Sequence, residues 1–227
     1  MQLKLYGAPL SPYVRKVRIV FAEKGLEYEH DGAIAPMNMP DWYESMHPLK
    51  RIPTLTVQEG EMRTIVPDSS AICAWADRHA PEPALYPSAP LDHARALWLE
   101  ELSDTGLAEA VGMRMFRPVL FNILQKKEPD METAKKGLKR VRRLLAYLES
   151  QLAESGFLVG DAPSIADIAV CAQLSNMEHI GYRIQPEDGE GMHALYERMM
   201  ARKSLQGCFA HEKKILERME FRAPNFA

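Results

Sequence analysis

The chain has 227 residues, of which 46% are apolar and 26% charged, and its formal net charge is −3 at pH 7. This length and apolar content are enough for a sizeable core in one or two domains. The small net charge gives no reason to expect nucleic acid or an anionic membrane as a partner. No stretch approaches the roughly 18 apolar residues that span a bilayer. The chain also does not begin with a basic segment followed by an apolar one, which is the pattern of a secretion signal. We therefore expect a cytoplasmic protein.

The cysteines and histidines indicate neither disulfides nor a metal site. The cysteines are odd in number, lie far apart and form no C-x-x-C pair; they are Cys73, Cys171 and Cys208. Such spacing is typical of reduced, mostly structural thiols in a cytoplasmic protein. The seven histidines show no i, i+4 pairing, so we expect no bound metal.

A short strand at residues 3–6 is followed by the start of a helix at the tetrapeptide Ser-Pro-Tyr-Val, residues 11–14. Ser11 is a favoured N-cap residue, Pro12 suits the first helical position, and Gly25 is typical of a helix end. Apolar residues recur at near-helical spacing, and the charged residues are expected mostly on the other faces. The apolar set is Val14, Val17, Val20 and Phe21, and the charged set is Arg15, Lys16, Arg18, Glu23 and Lys24.

The tetrapeptide has the frame of the glutaredoxin redox motif Cys-Pro-Tyr-Cys, with Ser11 and Val14 in place of the two cysteines. Since neither sulfur is present, the site cannot form a disulfide. The N–H groups and positive dipole end of the helix still favour an anion outside the first turn, by about 0.3–1 kcal/mol at an exposed site. The thiolate of another molecule fits this description, whereas Ser11 taken alone is equally well explained as a helix cap.

The next elements complete an α/β domain. A β-run headed by Pro53 extends to Val57, and Asp68 caps a helix that extends to about Arg78. The order strand, helix, strand, helix, proline-led strand, strand and helix is that of a thioredoxin-like domain. We expect residues 1–80 to form it, with a mixed four-stranded sheet and three helices.

A proline-rich linker is predicted at residues 81–90, because four prolines there prevent helix or sheet. Beyond it the pattern predicts an all-α bundle at 91–227. Its first helix should extend from about Leu91 to Arg117 and be broken or kinked at Pro118. Further helices are expected at about 131–154, 165–180, 191–201 and 205–219, the second of these with a capping box formed by Ser164 and Asp167.

Two motifs in this half resemble functional signals. Residues 189–194 match the G-x-G-x-x-A dinucleotide fingerprint, but they follow a loop in a helical region rather than a strand, so we expect no dinucleotide there. A basic run at residues 135–143 is interrupted by Leu138 and Val141 at helical spacing. This pattern favours a solvated helix face over a binding site.

Four segments, at 11–17, 52–55, 68–72 and 157–161, occur in an order that resembles the cytosolic glutathione S-transferases, in the bacterial type with serine at the thiol-activating position. The resemblance implies that Ser11 lies beside the sulfur of glutathione and stabilises its thiolate. It implies glutathione as a co-substrate and no tightly bound cofactor. Tyr6 is the alternative, because several classes of the family use a tyrosine at the end of the first strand. The Ser-Pro helix start favours Ser11 and a packing role for Tyr6.

The resemblance also implies the other glutathione contacts. Pro53 matches the family's cis-proline, and the backbone of Ile52 would pair with the cysteinyl unit of glutathione like an added strand. Ser69 would bind the γ-glutamyl carboxylate, and Asp68 would face the amino group, although it is shorter than the usual glutamate. Arg51 would pair with the glycyl carboxylate, or it is an exposed charge at a strand end.

The second substrate is expected to be a small hydrophobic electrophile. Family geometry places its pocket between the loop at 8–11 and the first long helix of the second domain. Met113 and Phe116 are the candidate pocket residues, with plain core packing as the alternative. Peroxidase or isomerase activity is also possible for such a protein, but the Ser-Ser-Cys motif of maleylacetoacetate isomerases is missing.

A homodimer is implied by the same resemblance, with the helix at 71–78 of one subunit packed against the helix at 91–101 of the other. Trp75 and Trp98 would contribute to this interface, or they fill a seam between the two domains. A different functional class is also open, that of a non-catalytic transferase-like protein-binding module. The presence of Ser11, Pro53, Asp68 and Ser69 together favours the enzyme.

Overall fold

The computed structural model describes residues 1–226, which form two compact units, Met1–Leu85 and the part of the chain from Tyr86 onward. The boundary falls within the proline-rich segment 81–90. No helix in the described residues is long and apolar enough to cross a membrane. Within the same residues no group of His, Cys, Asp and Glu is arranged to hold a metal ion, and the three cysteines are buried and form no disulfide.

The first unit has the predicted thioredoxin-like arrangement. Its elements are β1 (Gln2–Tyr6), α1 (Pro12–Glu23), β2 (Glu29–Asp31), a 3₁₀ helix (Asp41–Ser45), β3 (Thr54–Glu59), β4 (Met62–Pro67) and α2 (Ser69–His79). The strand order is β2-β1-β3-β4, with β1 parallel to β2 and the other pairs antiparallel. Leu5 pairs with His30 on one side and with Leu55 on the other. The mixed four-stranded sheet is confirmed, and the middle helix is a single short 3₁₀ segment.

The charged residues of α1 differ from expectation. Arg15, Lys16 and Arg18 are 1%, 0% and 9% exposed, although the pattern predicted that they would lie mostly away from the core. Long basic side chains can bury their methylene stems while their charged ends reach polar partners. Lys16 does so by donating from Nζ to Ser70 Oγ of α2 at 3.0 Å. Residues of α1 outside its apolar stripe are therefore buried as well.

The second unit is helical throughout its regular elements. It contains α3 (Pro90–Leu102), a π-helical segment (Ser103–Phe116), α4 (Arg117–Leu124), α5 (Met131–Glu149), α6 (Ile165–His179), a 3₁₀ turn (Pro186–Asp188), α7 (Glu190–Met200) and α8 (Lys203–Arg218). The all-α bundle is confirmed. A 3₁₀ turn, and not a strand, precedes α7, so the G-x-G-x-x-A match lacks the strand that a dinucleotide site requires.

Of the two outcomes predicted at Pro118, a break or a kink, the break is wrong. The chain remains helical from Pro90 to Leu124, and its hydrogen bonding widens before the proline, with Arg117 N–H bonded to the carbonyl of Gly112. Pro118 lies in the first turn of α4, where the backbone hydrogen bonds already change from i→i−5 to i→i−4 spacing. The missing N–H therefore costs little at this position.

Helix α6 forms the centre of the second unit, since nearly all of its residues are buried. Its start has the predicted capping arrangement: Asp167 Oδ2 accepts from the backbone N–H and from the hydroxyl of Ser164, both at 2.8 Å. The other oxygen, Oδ1, accepts from Leu158 N–H at 2.9 Å. Burial raises the pKa of Asp167, and these hydrogen bonds oppose that shift. The carboxyl group therefore joins the loop before α6 to the helix.

Candidate active site

Ser11 occupies the N-cap of α1, in extended backbone with φ −71° and ψ 126°. Its Oγ accepts from Val14 N–H at 3.5 Å, which is a long contact, and its own N–H donates to Ala8 O at 3.0 Å. The hydroxyl proton has no acceptor among residues 1–226. The side chain is partly exposed, and the first turn contains no acidic residue. The hydroxyl can therefore donate to an anion at this end of the helix.

Gly7 brings the start of α1 next to the loop before β3. A β-carbon on residue 7 would lie 2.6 Å from Val14 Cγ2, 3.1 Å from Ile52 Cβ and 3.6 Å from Pro53 Cα. The φ angle of Gly7 is +145°, a conformation that L side chains rarely adopt. Only glycine therefore allows the first turn of α1 and the Ile52–Pro53 segment to contact the same backbone atoms.

The backbone of Gly7 is itself fixed by β2. Its N–H donates to Asp31 O at 3.0 Å, and its carbonyl accepts from His30 Nε2 at 2.9 Å. The His30 ring must carry its proton on Nε2 to make this bond. The close approach at Gly7 is thus held by the sheet edge as well as by packing.

The Ile52–Pro53 peptide is cis, as expected, and Pro53 is buried directly before β3. Ile52 lies outside the strands, and its N–H and C=O make no backbone hydrogen bond in the described part of the chain. An extended peptide can therefore pair with them. Arg51 is exposed, and its guanidinium forms no ion pair with a described residue, so both interpretations of this side chain are compatible with the structure.

Tyr43, which lies in the 3₁₀ helix and is fully buried, holds this loop in place. Its hydroxyl donates to Arg51 O at 2.9 Å and lies 2.8 Å from Thr54 Oγ1, so one oxygen joins both ends of the Arg51–Thr54 turn. Burial raises the pKa of Tyr43, with the Thr54 hydrogen bond opposing it, and the hydroxyl stays protonated. No sequence pattern indicated this role.

The start of α2 contains the other two expected contacts. Asp68 has φ +77°, which is unusual for a residue other than glycine, and its Oδ1 accepts from Ser70 N–H at 2.8 Å and Ala71 N–H at 3.3 Å. Ser69 is 2% exposed at the first helical position. The bond between Lys16 and Ser70 joins this helix start to α1. Both helix N-termini therefore belong to one connected arrangement.

His47 is a further buried group in this region. It is 6% exposed, and its Nδ1 has no hydrogen-bond partner among the described residues. Burial lowers the pKa of His47, the carboxylate of Asp68 acts to raise it, and Arg51 acts to lower it. Two expected glutathione contacts therefore act electrostatically on this ring. No motif in the sequence indicated His47, because Asp68, which acts on its ring, comes from another segment of the chain.

Tyr6 packs in a small apolar cluster. It is 7% exposed and lies with Ile34, Tyr43 and Met46, and its ring meets the edge of Trp42 at a centroid distance of 6.0 Å. The burial supports the packing role expected for Tyr6.

The two candidate pocket residues in the second unit have different environments. Met113 is 54% exposed, and its sulfur lies 3.3 Å from an Arg117 guanidinium nitrogen. Phe116 is buried, with 6% of its surface exposed. Both lie in the π-helical segment.

Comparison with known proteins gives a consistent result for both units. A family profile described as glutathione S-transferase, N-terminal domain, matches residues 5–84, and one described as glutathione S-transferase, C-terminal domain, matches residues 110–203. Maleylacetoacetate isomerase of Pseudomonas aeruginosa is 30% identical over 191 residues, which cover 79% of this chain and 83% of that protein. FtsZ-localized protein A of Caulobacter vibrioides is 27% identical over 178 residues, 78% of each chain.

Among solved structures, a glutathione S-transferase from Rhodospirillum rubrum is similar to this fold with a TM-score of 0.79. The two sequences are 26% identical, and the match covers 91% of each chain. The similarity therefore extends over both the α/β unit and the helical unit.

Proposed function

The chain belongs to the glutathione S-transferase family, and from that premise we propose that it binds glutathione as the thiolate and adds it to a small hydrophobic electrophile. The observation that carries the proposal is the contact of Gly7 with both Val14 and Ile52, which brings the Ser11 helix start beside the cis-Pro53 loop. The Ser11 hydroxyl, whose proton has no acceptor among residues 1–226, thus lies at a helix N-terminus. It is close to the backbone of Ile52, which has no strand partner in the described residues.

Ser11 has the catalytic role in this proposal, as a stabiliser of the thiolate and not as a covalent nucleophile. A cysteine-type thiol has a pKa of about 8.5 and is only a few per cent ionised at neutral pH. A hydrogen bond from Ser11 to the sulfur, together with the first-turn N–H groups, stabilises the anion and lowers that pKa. The thiol proton leaves to solvent, and the sulfur then forms a bond to the electrophilic carbon as that carbon loses a halide, opens an epoxide C–O bond or breaks the π bond of an enone.

The other contacts hold the tripeptide. The N–H and C=O of Ile52 pair with its cysteinyl unit, as in β-strand addition. Ser69 binds the γ-glutamyl carboxylate at the start of α2, and Asp68 uses the oxygen not engaged in capping to accept from the amino group. Arg51 pairs with the glycyl carboxylate from its exposed position.

The helical unit supplies the electrophile pocket in this proposal, with Met113 and Phe116 as its candidate residues. Similarity to a maleylacetoacetate isomerase supports isomerisation as a second reaction of the same thiolate, in which the sulfur adds to a carbon–carbon double bond and leaves again. Reduction of a hydroperoxide is a third, in which the thiolate breaks the O–O bond and releases the alcohol, and a second glutathione converts the resulting sulfenic acid to glutathione disulfide and water. We propose a cytoplasmic homodimer as the working form.

A non-catalytic protein-binding module is the second candidate function, and the similarity to FtsZ-localized protein A is the observation that favours it. Immobilised glutathione distinguishes the two functions: retention with elution by free glutathione supports the enzyme, whereas flow-through supports the module. A panel of aryl halides, epoxides, enones, isothiocyanates and hydroperoxides with saturating glutathione then tests the activity. Retention without turnover of any of these would support ligand binding but contradict the transferase reaction.

A further inference from the structure

A groove on the helical unit is lined entirely by basic side chains. We call it the basic groove; its volume is about 290 Å³, and its lining residues are Arg114, Lys136, Lys139, Arg140 and Arg143. Four of them belong to the basic run of α5, whose charged side chains are exposed as expected, and Arg114 comes from the π-helical segment. The groove thus combines two elements and is more than one face of a solvated helix.

Gly137 explains why Arg114 lies among the basic residues of α5. A β-carbon on residue 137 would lie 2.7 Å from Met115 Cγ, 2.9 Å from Arg114 Cβ and 3.0 Å from Ala110 O. Glycine therefore lets α5 approach the π-helical segment closely at this point. The same contact aligns Arg114 with the positive side chains on either side of Gly137.

Positive charge in the groove exceeds the negative charge available to it. Glu109 accepts from Arg114 Nε at 2.9 Å and from a terminal nitrogen at 2.7 Å, and it accepts from Arg140 at 2.6 Å. The hydrogen bond from Arg114 lowers the pKa of Glu109, so this carboxylate stays ionised and orients both guanidinium groups. Glu132 pairs with Lys136 at 2.6 Å. Two carboxylates therefore face five basic side chains.

Lys139 and Arg143 form no ion pair with any residue from 1 to 226. All four helical neighbours of Lys139, at i−4, i−3, i+3 and i+4, are basic; they are Lys135, Lys136, Arg142 and Arg143. Like charges at these spacings destabilise a helix. Arg142 and Lys136 are each compensated by a carboxylate, Asp188 at 2.7 Å and Glu132 at 2.6 Å, but the described residues supply none to Lys139 or Arg143. An anionic ligand would offset the repulsion that remains.

We propose that the basic groove binds a compact anion that carries clustered phosphate groups. Arginine forks and lysine ammonium groups are the usual phosphate ligands, and the excess of three positive charges calls for more than one phosphate. The lining contains no aromatic side chain on which a base would stack and no apolar side chain that would anchor a peptide. Recognition is therefore directed to the phosphates, and it does not depend on the proposed glutathione reaction.

Inorganic triphosphate is the probe, titrated into the full-length protein by calorimetry and compared with sulfate, ATP and a hexaglutamate peptide. We expect triphosphate to bind at least about tenfold more tightly than sulfate, ATP to equal triphosphate within about threefold, and affinity to fall as salt is raised. Much tighter binding of ATP would mean that a base is recognised. Tighter binding of hexaglutamate would assign the groove to an acidic protein segment. Either result, or equal binding of sulfate, overturns the proposal.

A pair of double variants provides the control for total charge. Lys139→Ala with Arg143→Ala removes the two groove cations that lack an ion pair, and Lys203→Ala with Lys214→Ala removes two exposed lysines of α8. The groove variant should lose about tenfold or more in triphosphate affinity, and the control should stay within about twofold of the parent. Thermal unfolding of the groove variant should not shift downward, since its repulsion is relieved. Equal losses in both variants would mean that only net charge attracts the anion, which would overturn the proposal.

Discussion

Gly7 and Val14 lie so close together that a β-carbon on residue 7 would come within 2.6 Å of Val14 Cγ2. The end of β1 is therefore in direct contact with the first turn of α1, where Ser11 forms the cap. The other side of the same glycine faces Ile52 and Pro53. In this unit, the geometry expected of a glutathione site depends on a residue that has no side chain.

Gly7→Ala should disrupt this contact. The added methyl group would push apart the first turn of α1 and the loop before β3, and φ +145° is unfavourable for alanine. We expect the free energy of unfolding to fall by about 2–4 kcal/mol and most of the glutathione affinity to be lost. Gly60→Ala is the matched control, because Gly60 also has a positive φ, +57°, but no atom within 4 Å of the added carbon. Equal losses in denaturant titrations of both variants would contradict the role of the close contact.

Asp68→Asn and Ser69→Ala should weaken glutathione binding. Asparagine keeps the N-cap of α2, since its side-chain oxygen can still accept from Ser70, but it removes the charge that faces the amino group. Each loss of a charge-assisted contact should cost about 1.5–3 kcal/mol in calorimetric binding free energy. Affinities within about twofold of the parent in both variants would remove these residues from the site.

His47 should make stability depend on pH. Burial lowers its pKa, so below the ordinary value of about 6.5 the unfolded chain takes up a proton more readily than the folded protein. The contribution of neutral His47 to stability is thus present above that pH and is lost as pH falls through the folded-state pKa. His47→Asn should show a smaller decline in unfolding free energy than the parent between about pH 7.5 and about pH 5.5. Parallel declines in the two proteins would contradict this assignment.

Trp98 should contribute to a dimer interface. It is 51% exposed on α3, next to Leu97 at 43%, and such apolar surface is typical of an interaction site. Light scattering should give twice the 25.7 kDa of one chain, and Trp98→Glu should shift the mass toward the monomer. Trp42→Glu is the control, because Trp42 is 50% exposed in the first unit. A 25.7 kDa species for the parent protein at micromolar concentration would rule out the dimer.

Local chemistry made part of this arrangement predictable. Ser11 with Pro12, Asp68 before α2, and Ser164 with Asp167 are signals within a few residues of the helix starts that they specify, and the structure has all three. The strand that follows Pro53 was predicted from its β-run, and the cis peptide before it followed from the family resemblance.

Contacts between distant segments were not predictable in the same way. The Tyr43 hydroxyl reaches Arg51 and Thr54 only after the chain has folded, and Lys16 is buried because Ser70 of α2 meets its ammonium group. The π-helical segment before Pro118 was not predicted either, since apolar spacing alone does not distinguish a locally widened helix from a regular one.

The central claim, that Ser11 stabilises the thiolate, is tested most directly by titrating the thiolate absorbance of bound glutathione in the parent, Ser11→Ala and Tyr6→Phe proteins. We predict a raised thiol pKa in Ser11→Ala, with a loss of about 10²–10³ in turnover and a much smaller loss of glutathione affinity. Tyr6→Phe should leave the thiol pKa unchanged, because Tyr6 packs in the cluster with Ile34 and Met46. An unchanged thiol pKa in Ser11→Ala, together with a large loss of turnover in Tyr6→Phe, would transfer the role to Tyr6 and contradict the claim.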